Sequence, residues 1–306
     1  MSSIPNSHRP GKQERFAPRG EQGWLIVLLF VTILCLLGWS YLIAMIADML
    51  PAMDMAEAGP GMALFNNFNL FKGLPAETRA ALALLCLPVG STFGMPSLNM
   101  DFQDLSKVFL MWSMMAMAMM LPSATPMLRA YHDRFRHEEH SLIRTTLPVV
   151  MVSIGFLIVW FGYAILATLA QWILSNIGAL TDMMAPASLA FTISILFAAG
   201  LYQFTPAKRA CLQRCWYPRW VFGEGAATAG SGLREGLVQG WACLGCCWAV
   251  MTVMFAVGLM NIIWIALLGG IMALEKTFPS RILPNLIGIG LISWSAFLAG
   301  TLLLNA

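Results

Sequence analysis

The sequence predicts an all-α fold, a polytopic transmembrane helical bundle of about seven spans with its amino terminus in the cytoplasm. Three observations favour this class. The 306 residues are 58% hydrophobic and 11% charged, which is too apolar for an ordinary soluble domain. Several uncharged apolar runs are long enough to cross about 30 Å of hydrocarbon. The basic residues cluster in alternate segments between those runs, as the positive-inside rule requires.

The apolar runs follow one another along the chain. The first covers residues 24–47 and carries no charge. A later run over 237–274 is too long for one crossing, so we divide it near Gly258 to Asn261 into a fifth and a sixth span. The predicted spans are 24–47, 108–127, 147–174, 188–204, the two parts of 237–274, and 282–304.

The remaining segments are polar. Residues 1–22 contain three prolines and little apolar sequence, which predicts a disordered cytoplasmic tail, and residues 23–306 form the transmembrane helical domain. Within that domain, residues 48–104 form an extracytoplasmic segment rich in Met and Asp. Its apolar piece over 80–89 is too short to cross, so we expect it to be interfacial or re-entrant.

The distribution of basic residues predicts the orientation. With the amino terminus inside, fifteen of the eighteen Lys and Arg residues fall in cytoplasmic segments, and Lys72, Arg79 and Lys107 fall outside. The positive-inside rule therefore places the carboxyl terminus on the outer side.

Composition also argues against several functions. Basic residues are not interleaved with aromatic ones in a patch, so the sequence predicts no nucleic-acid partner. Seven cysteines, mostly in or beside apolar runs, argue against a disulfide framework. The assigned spans contain no Asp, Glu, Lys, Arg or His, which weighs against a proton-coupled carrier and against a haem protein.

Three cysteines lie within the fifth span. Cys243, Cys246 and Cys247 have the spacing i, i+3 and i+4, so their sulfurs share one face of a helix, and Met251 extends that face by a further turn. Sulfur ligands favour soft metals, copper(I) first. The alternative is that these side chains are small or adaptable apolar fillers of a packed core.

A second pair of cysteines, Cys211 and Cys215, lies four residues apart just inside the cytoplasmic face. If this piece is helical, the two thiols also share a face. Both groups fall near the inner leaflet, so we expect five thiols to converge where the fourth and fifth spans meet. Arg209 and Arg214 are near enough in sequence to favour the thiolate form that binds metal.

Methionines provide a third set of candidates. Met111, Met115 and Met119 recur every four residues along the second span, a pattern that core packing also explains. The outer segment adds methionines beside carboxylates, for which copper binding and packing both stay open; these are Met45, Met49, Met53, Met55 and Met62. The histidines at 132, 137 and 140 are interpreted as part of a solvated cytoplasmic loop.

Three blocks of the sequence resemble a known bacterial family. They are the Met-rich block 111–126, the block 202–215 with its two cysteines, and the block from CLGCCW at 243–248 through Glu275 and Lys276. Over about residues 105–280 the chain resembles predicted metal-binding integral membrane proteins, a domain of unknown function sometimes labelled copper chaperone. The resemblance implies metal binding in a bacterial inner (plasma) membrane. It implies neither a substrate nor a reaction.

Two functional hypotheses follow. The first is copper(I) handling or delivery, in which the Cys cluster binds the ion, Met-rich outer ligands bind it more weakly, and a metallochaperone or metalloenzyme subunit exchanges it. The second is a subunit or assembly factor of a membrane-bound metalloenzyme such as an oxidase or oxygenase. A structural membrane protein without metal is a third interpretation. No residue pattern favours nucleophilic catalysis.

Overall fold

The computed structural model describes residues 18–50, 54–68, 102–138, 141–181, 184–221 and 228–304. Within these ranges the chain forms nine α-helices, two short 3-10 helices at Met55–Ala58 and Met62–Phe68, and no β-strand. The α-helices are α1 Pro18–Met49, α2 Phe102–Glu138, α3 Leu142–Asn176, α4 Leu189–Tyr202, α5 Pro206–Trp216, α6 Ala229–Thr252, α7 Met254–Val257, α8 Ile262–Thr277 and α9 Ile282–Leu304. The predicted all-α fold class is confirmed.

Five helical segments are long and apolar enough to cross a membrane: α1, α2, α3, α6 together with α7, and α9. Helices α4 and α5 form a sixth candidate if their 62° bend lies within one crossing. The sixth span of the sequence prediction corresponds to α8, whose 16 residues reach about 24 Å, less than the thickness of a hydrocarbon core. The polytopic class is thus confirmed, with five or six candidate spans in the described chain where the sequence predicts about seven.

The outer helices present apolar side chains away from the bundle. Leu29 on α1 is 61% exposed and Phe297 on α9 is 69% exposed. In contrast, most of α2 is buried between the other helices. Apolar surface of this kind is unfavourable in water and is stable against lipid tails, so α1 and α9 fit contact with the bilayer.

A sharp turn between α4 and α5 brings the second cysteine pair back to the bundle. The chain bends by 62°, and α5 begins with Pro206, a residue suited to the first turn of a helix. Thr205 caps this helix by accepting a hydrogen bond from the backbone N–H of Lys208 over 3.2 Å. Helix α5 then packs along α6, with Cys211 and Cys215 on it.

The long apolar run is divided where the sequence predicts. After the single turn of α7, Gly258 has a φ of 97°, a conformation that glycine adopts without strain. Asn261 caps α8 and donates a hydrogen bond to the carbonyl of Pro60 over 2.9 Å. This bond ties the 3-10 helices to the break, and Met55 and Met62 are fully buried there, as core packing predicts. Copper binding by these two methionines stays a hypothesis.

Glycines allow α3 and α6 to pack with their backbones in contact. Gly232, Gly236 and Gly240 recur every four residues along α6. A β-carbon on Gly232 would lie 2.4 Å from the carbonyl oxygen of Pro148, and one on Gly236 would lie 2.2 Å from that of Val152. Small residues at this spacing are typical of closely packed transmembrane helices. The register of α6, and hence the direction of its thiols, is fixed by this contact.

The helical core contains charged side chains at the end of the bundle where the thiols lie. Lys208, Glu235 and Glu275 are fully buried, and Lys276 is 6% exposed. These residues lie outside the predicted spans, which contain no ionisable group, and they are buried because α6 begins before and α8 ends after those spans. His132, expected in a solvated loop, is also fully buried, since α2 continues through that segment.

Some sequence predictions fall outside the described residues. The tail predicted to be disordered covers residues 1–22. Residues 1–17 lie outside the described residues, whereas residues 18–22 belong to α1. The piece over 80–89, Met53, and the side chains of His137 and His140 also lie outside the described residues. The cytoplasmic orientation of the amino terminus stays a prediction.

Candidate metal centre

Helix α6 places three thiols on one buried face. Cys243, Cys246 and Cys247 are at most 1% exposed, and their sulfurs lie within 4.8 Å of one another. The sulfurs of Cys246 and Cys247 lie 3.3 Å apart. Because a metal–sulfur bond is about 2.3 Å, two ligand sulfurs on one ion lie about 3.8–4.6 Å apart. Small side-chain rotations therefore suffice for the three sulfurs to hold an ion.

Helix α5 adds a fourth thiol. The sulfur of Cys215 lies 3.9 Å from that of Cys246, a spacing that suits two ligands of one ion. Cys211, one turn earlier, packs against Gly245, where a β-carbon would lie 2.5 Å from the Cys211 sulfur. Both α5 cysteines are partly buried. The structure thus brings thiols from two helices together, with Cys211 at the edge of the group.

A buried lysine contacts the thiol cluster. The ammonium of Lys276, near the end of α8, donates hydrogen bonds to the sulfur of Cys243 and to the hydroxyl of Ser123, each over 2.8 Å. It also lies 5.9 Å from the ring centre of Phe156. A buried ammonium is stable only with compensating partners, and a sulfur that carries negative charge is such a partner.

A small cavity lies beside these groups. Its volume of about 10 Å³ is close to that of a single water-sized sphere. Its lining joins five helices and contains two of the thiols and one thioether; the residues are Ser123, Ala124, Pro126, Met127, Phe156, Cys215, Cys243 and Lys276. Room for one ion therefore exists next to the sulfurs.

Two buried ion pairs hold α5 against the rest of the bundle. Lys208 lies 2.7 Å from Glu275 of α8, with both side chains fully buried, and Lys208 also donates to Gln203. Arg214 lies 3.0 Å from the fully buried Glu235 of α6. Both pairs involve α5 residues that precede Cys215, and Arg214 is its immediate neighbour. They fix the position of its sulfur relative to the α6 thiols.

Glu235, the acidic member of the second ion pair, accepts further hydrogen bonds. One of its oxygens accepts a hydrogen bond from the hydroxyl of Tyr131 over 2.6 Å, and the other accepts from the backbone N–H of Val221 over 3.0 Å. Arg214, which the sequence predicts to favour thiolates, adjoins Cys215 in the chain, and its guanidinium also donates to Glu235 and to the carbonyl of Arg219. Among the described residues, the cation that donates a hydrogen bond to a cluster sulfur is Lys276.

The methionines predicted as ligands are all buried. Met119 packs on α8, where a β-carbon at Gly269 would lie 3.2 Å from its Cγ. Ser123, one turn later on α2, contacts Lys276. At a rise of 1.5 Å per residue, Met115 and Met111 lie about 12 and 18 Å along the helix from Ser123, too far for one ligand shell. Met251 continues the α6 face beyond Cys247, and its ligation stays a prediction.

Three residues of the site were not predicted from the sequence: Lys276, Ser123 and Met127. Met127 could have been predicted, because it continues the four-residue spacing of the α2 methionines through Ser123. Lys276 stands out in the sequence only as the end of a block that resembles the family, since a Glu–Lys pair after an apolar run is otherwise typical of the end of a span. Only the packing of α8 against α2 and α6 reveals that it points inward.

The fold and the site define a polytopic helical membrane protein with a buried cluster of soft metal ligands. The chain belongs to the family described as "PpoB2: Copper chaperone", whose family model matches residues 109–298, from α2 into α9. The resemblance to a metal-binding membrane family is thereby confirmed. Comparisons with curated proteins and with solved structures find no match.

Proposed function

We propose that this protein binds copper(I) through Cys243, Cys246, Cys247 and Cys215 and passes the ion to or from a partner protein. The observation that carries this proposal is the meeting of four sulfurs from two helices. Three lie within 4.8 Å of one another, and the fourth lies 3.9 Å from Cys246. Membership of a copper chaperone family supports copper as the ion.

The donor set suits copper(I) better than harder ions. Thiolates are soft ligands that favour copper(I) over hard ions; four thiolates also match structural zinc, and membership of a copper chaperone family favours copper(I). Lys276 blocks one approach to Cys243, and the adjoining cavity of about 10 Å³ leaves room for a single ion. The positive charge of Lys276 offsets part of the excess negative charge when several thiolates hold a monovalent ion.

In this proposal, the methionines of α2 are weaker copper(I) ligands that lead to the thiol site. Met111, Met115, Met119 and Met127 follow one face of α2 and end at the cavity beside Cys243. Thioethers bind copper(I) without losing a proton, and thiolates bind it more tightly. Transfer from methionine to cysteine is therefore favourable. With the amino terminus in the cytoplasm, this direction is inward across a bacterial inner membrane.

The proposed partner is a metallochaperone or a metalloenzyme subunit. The other hypothesis, that the protein is itself a subunit or assembly factor of a membrane-bound metalloenzyme, uses the same thiols and has no separate support in the described residues. Purification from membranes under reducing conditions distinguishes the two. A stable partner with oxidase or oxygenase activity favours the second hypothesis, and a single chain whose copper exchanges with a chelator favours the first.

The direct test replaces Cys243, Cys246 and Cys247 together with Ser. We expect the purified protein to carry about one copper ion per chain and the triple variant to lose most of it, measured by elemental analysis under reducing conditions. Cys35→Ser is the matched control, because that thiol lies on α1 and contacts the carbonyl of Ala118. Equal copper content in the triple variant and the control contradicts the proposal.

A further inference from the structure

A basic groove lies at the same end of the bundle as the thiol cluster. It is formed by the end of α5, the segment that follows it, and the turn between α8 and α9, and its volume is about 520 Å³. This size falls within the range of sites for small organic ligands. Six residues of its lining are Gln213, Arg214, Trp216, Tyr217, Arg219 and Arg281.

Two of the three arginines in this groove carry charge that no described residue compensates. Arg214 is paired with Glu235, as described above. Arg219 and Arg281 are exposed, and within the described part of the chain neither forms an ion pair. The lining holds no carboxylate among the described residues. The groove therefore presents two free guanidinium groups, which have the planar geometry that binds phosphate oxygens in pairs.

Exposed apolar side chains lie within three residues of these arginines along the chain. Tyr217 is 63% exposed, Phe278 is 58% exposed, and Ile282, next to Arg281, is 69% exposed. Aromatic side chains with polar groups are typical of the depth at which lipid head groups lie. A soluble ligand would leave this rim, formed by Tyr217, Phe278 and Ile282, exposed to water. A phospholipid would place its phosphate between the arginines and its acyl chains along the rim.

We propose that this groove binds the phosphate of an anionic ligand, with Arg219 and Arg281 as its ligands, and that the source is the head group of an anionic phospholipid. Basic pockets between transmembrane helices are suited to such head groups. This site is separate from the thiol cluster, and the proposal does not depend on copper binding.

The last turn of α5 contributes both to the groove and to the thiol cluster. Trp216 lines the groove and donates a hydrogen bond from its indole N–H to the carbonyl of Glu275 over 2.8 Å. The preceding residue is Cys215, whose sulfur contacts Cys246. An occupied groove therefore braces the last turn of α5. Lipid binding should raise the stability of the fold, because the ligand binds the folded state and not the unfolded chain.

The experiment measures thermal unfolding of the full chain in a neutral detergent while lipid is added. The three probes are phosphatidylglycerol, phosphatidylcholine, and inorganic phosphate at matched ionic strength. The test variant is Arg219→Gln with Arg281→Gln, and the matched control is Arg234→Gln. Arg234 is exposed on α6, at the same end of the bundle, and does not line the groove. Helical content by circular dichroism verifies that each variant is folded.

The proposal expects phosphatidylglycerol at a hundredfold excess over its Kd to raise the unfolding midpoint by about 5 °C, with no rise from phosphatidylcholine. The double variant should require at least about tenfold more phosphatidylglycerol, whereas Arg234→Gln should match the parent. Lysine at both positions should give an intermediate result, because the charge remains and the paired geometry is lost.

Two outcomes overturn parts of this proposal. An equal response to phosphatidylglycerol in the double variant and the parent removes the groove as the site. Inorganic phosphate could raise the unfolding midpoint as much as phosphatidylglycerol does, with that rise lost in the double variant. This result overturns the lipid source and assigns the site to a soluble phosphate. Replacement of the three α6 cysteines with Ser should leave the lipid response unchanged, so a failure of the copper proposal is distinguishable from a failure of this one.

Discussion

The ammonium of Lys276 lies 2.8 Å from the sulfur of Cys243, deep at one end of the helical bundle. A lysine in this position is unfavourable unless its charge is offset, and its other hydrogen-bond partner, Ser123, is neutral. The thiol cluster that Lys276 contacts can therefore supply the compensating negative charge when one of its sulfurs is ionised.

Replacement of Lys276 with Met should weaken copper(I) binding. The variant removes a hydrogen bond to a charged group, an effect of about 1.5–3 kcal/mol, which corresponds to about 10- to 100-fold in Kd. Competition with a chromophoric copper(I) chelator measures the change. The control is Lys107→Met, because Lys107 is partly exposed and pairs with Asp104 at the beginning of α2. Unchanged or tighter binding in Lys276→Met would show that the lysine does not support the thiolate.

The two cysteines of α5 should differ in their importance. Cys215 lies 3.9 Å from Cys246, whereas Cys211 packs against Gly245 at the edge of the cluster. We expect Cys215→Ser to release copper to a chelator at least about tenfold faster than the parent, because one soft ligand is lost. Cys211→Ser should stay within about twofold of the parent. Equal effects of the two substitutions would place Cys211 in the ligand shell as well.

Much of this fold follows from the pattern of the sequence. The helical runs were predictable because lipid requires long uncharged segments, and the break near Gly258 was predictable because the apolar run exceeds one crossing. The shared face of Cys243, Cys246 and Cys247 follows from helix periodicity alone. These features depend on local sequence, so they need no knowledge of tertiary contacts.

The polar half of the site could not be predicted in the same way. Lys208 and Lys276 follow apolar runs, where basic residues usually mark the cytoplasmic ends of spans. Their burial depends on the 62° turn before α5, which returns that helix to the bundle, and on the extension of α8 to Thr277. Both are tertiary effects. Met127, by contrast, could have been predicted, because the four-residue spacing of the α2 methionines reaches it after Ser123.

The buried ion pair between Lys208 and Glu275 should behave as a unit. Either single substitution, Lys208→Met or Glu275→Leu, leaves one charge buried without its partner and should cost about 3–5 kcal/mol of unfolding free energy. The double variant should recover most of that loss, since an apolar pair of similar volume replaces the ions. Denaturant or thermal unfolding in detergent, arranged as a double-mutant cycle, measures the coupling. Additive losses in the double variant would contradict a direct pair.

The contact between α3 and α6 provides a test of how the thiol-bearing helix is positioned. Gly232 and Gly230 are two residues apart on α6, but a β-carbon on Gly232 would lie 2.4 Å from the carbonyl oxygen of Pro148, whereas one on Gly230 meets nothing within 4 Å. We expect Gly232→Ala to destabilise the protein by about 1–3 kcal/mol, because the added methyl group forces the two backbones apart.

Gly230→Ala should be neutral or stabilising by less than about 1 kcal/mol, since alanine favours a helix more than glycine does. Unfolding in detergent compares the two variants. Because Phe156 of α3 lines the cavity beside Cys243, a displacement of α3 should also reach the metal site. Gly232→Ala should therefore bind copper(I) more weakly than Gly230→Ala. If both variants have the stability of the parent, the close contact of α3 with α6 does not hold the bundle together.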